Sequence, residues 1–99
     1  MSRPTKSIAN AYYKMAISDL VAARNALGWS QYELARRWNR HQSIVAKIET
    51  CERRVDLIEF IDLCVLLEID PYETISGIHE QIRVGRDRRD GDGKDVFTP

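Results

Sequence analysis

No stretch of this chain stays apolar for the roughly 18 residues that a bilayer crossing needs. None joins a charged start to an apolar stretch ending in small residues. Neither a membrane span nor secretion is indicated, and a cytoplasmic setting is expected. Cysteine is scarce: Cys51 and Cys64 stand 13 positions apart, with no histidine or further thiol spaced for a zinc pattern. Both are expected to be free thiols, Cys64 within an apolar helix and Cys51 in a loop. A Gly-x-Ser-x-Gly elbow and a His-Glu-x-x-His pair are absent, and His41 and His79 lie 38 apart with no nucleophile tied to either. The stretch Asp90 to Asp95 lacks the carboxylate spacing and closing glutamate of a calcium loop. These gaps argue against an enzyme and give no reason to expect a metal or another cofactor.

What the 99 residues do hold is enough apolar side chain for one core without staples. Fifteen basic side chains balance fifteen acidic ones, but they are not mixed. Residues 24 to 54 carry seven arginines and lysines against three glutamates, a net of plus four. Residues 55 to 80 carry seven carboxylates and no arginine or lysine, a net of minus seven. Such a molecule has a polarised field, with one half attracting phosphate and the other repelling it.

Apolar periodicity predicts an all-α chain. Tyr13, Ala16, Ile17, Leu20, Ala23 and Leu27 recur at threes and fours, so a first helix is expected from about Ile8, stopped at Gly28. A Ser-x-x-Glu capping box, Ser30 with Glu33, opens a second helix over about 31–38 with Leu34, Ala35 and Trp38 inward. After a short polar turn at Asn39, a third helix over 42–49 puts Val45 and Ile48 inward and Gln42, Ser43, Ala46 and Lys47 outward. A fourth, over about 56–67, is apolar on more than one face and needs cover from the bundle or from a second subunit. Asp70-Pro71 caps and opens a fifth, with Ile75, Ile78 and Ile82 as its stripe. Residues 1–10 are expected to be a flexible arm, 11–84 a single domain with its core at 20–75, and 85–99 a disordered charged tail.

Helix, tight polar turn, and a helix with an outward amide, hydroxyl and ammonium form the pattern of a DNA-reading helix-turn-helix. On Ser30-Gln31, Glu33-Leu34-Ala35, Gln42-Ser43, Lys47-Ile48-Glu49, Arg53 and the run Leu57 to Leu67, the stretch from about Leu20 to Ile75 resembles the phage Cro/repressor-type (XRE) family. Two positions depart from that family's pattern, Asn39 and Cys51, each standing where it commonly has glycine.

The resemblance implies a compact five-helix bundle of the lambda-repressor-like type. It also implies a transcriptional regulator of double-stranded DNA, with a repressor acting on a near-palindromic operator as the expected form. Gln42, Ser43, Ile44 and Lys47 would then face bases, although Ile44 could equally pack on the bundle. Gln31, Arg53 and Arg54 would meet phosphate, and Arg40 and His41, flanking the groove, could join them. His41 could instead cap the third helix, the role its position favours. Arg24 and Glu49 match positions that pair structurally. A homodimer through Ile75, Ile78 and Ile82 is expected, unless the first helix covers them. The alternative is an interaction module, an antitoxin or phage regulator, docking a protein partner through helices four and five.

Overall fold

The computed structural model describes the backbone of residues 4–91 and the side chains of residues 11–87. It is all-α, with five helices among the described residues: α1 (Pro4–Ala26), α2 (Gln31–Trp38), α3 (Gln42–Glu49), α4 (Leu57–Leu67) and α5 (Pro71–Gly91). The core is one cluster drawn from α1 to α4. Ile17, Leu20 and Ala23 of α1 meet Leu34, Ala35 and Trp38 of α2, Val45 and Ile48 of α3, and Phe60, Leu63, Cys64 and Leu67 of α4. For α1, α2 and α3 these are the stripes that the periodicity predicts, because each short helix becomes stable only by burying its apolar face against the others. For α4, whose apolar residues run nearly unbroken, packing selects the face that is buried.

Four of the five helices end in the same way. Gly28, Asn39, Cys51 and Glu68 each take positive φ, at 74°, 60°, 66° and 63°. After each, the chain turns back to bond two carbonyls of the last helical turn. For α2, the Asn39 N–H reaches the Arg36 carbonyl at 3.1 Å and the Arg40 N–H reaches that of Ala35 at 2.9 Å. The same pair of bonds recurs at Gly28 and Trp29, at Cys51 and Glu52, and at Glu68 and Ile69. This arrangement satisfies the carbonyls a helix end leaves bare. Only the first of the four stops uses glycine, so three of them carry the steric cost of a Cβ in a left-handed conformation.

Both ends of the bundle are more helical than the sequence suggests. Pro4 stands first in α1, where its missing N–H costs nothing, and the helix runs through most of the segment expected to be a flexible arm. α5 continues six residues past Gly85, where a disordered tail was expected. The reason is tertiary: α5 lies along α1, and Gly85 comes so close to Tyr12 that a Cβ there would sit 3.3 Å from its hydroxyl. Arg83 adds ion pairs to Glu80 and Asp87 one turn either way, both at 2.7 Å. The remaining ends of the expected arm and tail, residues 1–3 and 92–99, lie outside the described residues.

α4 buries a single face. Leu57, Ile58 and Val65 stay open, the last two at 71% and 70% exposure, so its apolar excess is not absorbed within one chain. Cys64 is fully buried, and that burial pushes its thiol up. Replacing Glu68, which is exposed and has no cap function in its side chain, by glycine should stabilise the protein by about 0.5–1 kcal/mol. The left-handed penalty removed exceeds the extra chain entropy of glycine, and urea denaturation of Glu68→Gly against wild type measures the difference.

Candidate nucleic-acid interface

α2 starts at Ser30, whose hydroxyl accepts the Glu33 N–H at 3.0 Å, and stops at Asn39. Three residues later α3 begins, so the two helices are joined by a turn too short to move independently. Val45 and Ile48 are 2% and 3% exposed and fix α3 to the bundle. Gln42, Ser43 and Lys47 are exposed on its far side, while Ile44 is half-buried and packs against the core. The side chain of Lys47 has no ion pair among the described residues. His41 occupies the N-cap position with extended backbone, yet its ring makes no cap hydrogen bond. The capping role that its position favours is not performed, because a bulky ring places no oxygen near the free amides as the short side chains of Ser, Asp or Asn do.

A continuous chain of hydrogen bonds orients α3. Arg24 in α1 donates through Nε and Nη2 to the two oxygens of Glu49, at 2.6 and 2.9 Å, and through Nη1 to the Trp29 carbonyl at 2.7 Å. Gln31, first residue of α2, donates to Glu49 Oε1 at 2.9 Å and accepts from Gln42 Nε2 at 2.8 Å. One glutamine side chain therefore touches both the first and the last residue of α3. Gln42 keeps its carbonyl oxygen and one N–H for a ligand, the pair needed to read an adenine edge. Sequence reasoning found Arg24 and Glu49 but not the two glutamine links, which depend on how α2 and α3 are folded together.

The arginines around this surface are mostly held. Arg36 and Arg37 both donate to Glu33, at 2.7 and 2.6 Å. Hydrogen bonds from Arg36, then from Arg37, keep the Glu33 carboxyl down at about 2. The guanidinium of Arg37 also lies 4.2 Å over the Trp29 ring, that of Arg40 4.1 Å over Trp38, and that of Arg54 4.3 Å over Tyr13. Arg53 pairs with Glu59 at 3.1 Å, and Arg40 approaches the same carboxylate at 3.5 Å. Glu59 is the residue that sequence reading missed; the only hint was its place three residues after Asp56, the capping-box spacing. Ile75 and Ile82 lie exposed on α5 and Ile78 is half-buried.

Two short helices about a tight turn, the second with a buried apolar edge and an open polar one, define a helix-turn-helix protein. The comparisons agree. The solved structure of an XRE-family like protein from Pseudomonas syringae pv. tomato str. DC3000 is similar to this chain at 45% identity and a TM-score of 0.74, over 81% of this chain and 98% of that one. No family model and no curated protein matches the chain. The chain belongs to the XRE family of helix-turn-helix proteins, and at the level of that family it is a DNA-binding regulator.

Two measurements probe this surface without DNA. Arg24 and Glu49 are only 12% and 11% exposed, so Arg24→Ala would strand a covered carboxylate and should cost about 3 kcal/mol in urea denaturation. For Glu33, a lowered pKa means that its stabilising contribution is present above the ordinary value of 4.5 and lost as pH falls through about 2. The side-chain carboxyl resonance of Glu33 should accordingly titrate with a midpoint near the lower value in an NMR pH series.

Proposed function

We propose that this protein is a sequence-specific transcriptional repressor that binds double-stranded DNA as a homodimer on a near-palindromic operator, in the cytoplasm. The observation that carries the reading is the exposed polar edge of α3, fixed from beneath by Val45 and Ile48 and tied at both ends to Gln31. In the major groove Gln42 would offer a donor and an acceptor to adenine N6 and N7, and Lys47 a charge to guanine O6 and N7 or to a phosphate. Ser43 meets a base edge, and Ile44 touches a thymine methyl with whatever part of it the core leaves open. Gln31, Arg40, His41, Arg53 and Arg54 lie near the ends of α2 and α3 and would hold the backbone on either side.

One module of this size grips little DNA, so specific use calls for two copies, whose α3 helices would sit about 34 Å apart, one turn of the duplex. The exposed Ile75 and Ile82 of α5, at 45% and 38%, support α5 as the contact, with Ile78 between them. A second reading, docking of a protein partner through α4 and α5, draws on one observation. Ile58 and Val65 remain open on α4 within the acidic half of the chain.

Selection of duplexes from a random pool tests the reading at once. The expected product is a two-fold symmetric site, bound with an affinity that falls by orders of magnitude between about 50 and 200 mM salt. Gln42→Ala with Lys47→Ala should lose about 1–3 kcal/mol of discrimination per base contact while the fold survives. A folded double variant that keeps full affinity for the selected site would exclude the groove assignment. Partner docking through apolar contacts would instead show little dependence on salt.

A further inference from the structure

Two of the arginines proposed to grip phosphate meet on a carboxylate of their own chain. Arg53, in the loop after α3, points Nη1 and Nη2 at the two oxygens of Glu59, 3.3 and 3.1 Å away. Arg40, in the turn before α3, brings Nη1 to 3.5 Å from Oε2 of the same group while its plane rests on Trp38. One anion thus joins the chain entering α3 to the chain leaving it. The Glu59 side chain is 18% exposed, beneath arginines exposed at 38% and 34%. The hydrogen bonds from Arg53 and from the Asp56 N–H, with a lesser one from Arg40, hold its carboxyl below the usual carboxylate range, so it stays charged at neutral pH.

The charge is more than α4 requires. At the start of that helix Asp56 accepts the Glu59 N–H at 2.7 Å, and Glu59 in return accepts the Asp56 N–H at 3.1 Å. A neutral glutamine completes the same reciprocal cap. A carboxylate facing the flat fork of a guanidinium, however, has the geometry that a backbone phosphate would take up. We infer that Glu59 is an internal stand-in for phosphate: it holds Arg40 and Arg53 in place and cancels one of their two charges. Sequence-independent affinity is thereby kept low, and discrimination is left to the side chains of α3. This inference rests on the DNA-binding reading above and adds to it a residue that sets specificity without touching a base.

Glu59→Gln removes the charge and keeps the cap, so its melting curve should stay close to wild type. Glu59→Ala is a second neutral variant, since Asp56 still accepts the residue-59 amide, and Glu59→Asp is the control that keeps the charge. Binding is measured on a duplex recovered from the random pool and on a scrambled duplex of equal composition. Freeing one arginine for one more phosphate steepens the slope of log affinity against log salt by about 0.9, about a threefold greater loss between 50 and 200 mM. The neutral variants should bind both duplexes several-fold tighter at the lower salt, the scrambled one gaining at least as much as the selected one. Glu59→Asp should follow wild type. Folded neutral variants with unchanged or weaker binding, beside a wild type that binds, would overturn the role of Glu59 alone. A wild type that retains no duplex from the pool overturns the DNA reading, and this inference with it.

Discussion

The bidentate contact between Arg24 and Glu49 is the constraint on which the outward surface of α3 depends. An eight-residue helix has little stability of its own in water, and hydrophobic burial of Val45 and Ile48 alone would leave it free to roll on the core. Glu49 removes that freedom because both its oxygens are claimed by a side chain from α1, and one also by Gln31 from α2. Arg24 is fixed in turn by the Trp29 carbonyl. The angle of α3 is therefore set by three helices at once. Gln42, at the opposite end, inherits its position through the same glutamine.

Charge on this face is organised by the same logic. Residues 24 to 54 are net positive by sequence, but the cations are not a loose cloud. Arg36 and Arg37 share Glu33, Arg40 and Arg54 lie on aromatic rings, and Arg53 forks onto Glu59. Exposed pairs of this kind add little to stability. Their effect is on order: each guanidinium is held in one orientation on the surface instead of sampling many rotamers. Lys47, without an ion pair among the described residues, is the exception, and it stands in the middle of the polar edge of α3.

How much of this was legible beforehand varies from element to element. The core stripes of α1 to α3 could be read because burial follows helical spacing, and Leu34, Trp38, Val45 and Ile48 all lie where the period put them. The nearly unbroken apolar run of α4 did not show which of its faces is buried. The stop at Asn39 was readable from its tolerance of positive φ. The stop at Glu68 was not, because nothing local marks a glutamate for the left-handed region; the turn into α5 imposes it. His41 looked like a cap by position and is not one by geometry. The extension of α5 beyond Gly85 could not be seen in a charged, glycine-containing segment, since the stabilising neighbour is Tyr12, more than 70 positions away.

The sequence by itself determined that the chain is all-α, where α2, α3 and α4 lie to within a residue or two, and which side of α3 is buried. Those properties follow from local propensity and periodicity, which act between residues a turn apart, whereas the resemblance to the XRE family rested on particular residues at matched positions. Tertiary structure alone decided that Gln31 holds both ends of α3 and that Glu59 gathers the arginines on either side of it. Hydrogen bonds reach about 3 Å, and which side chains come that close is fixed only when separate helices pack together.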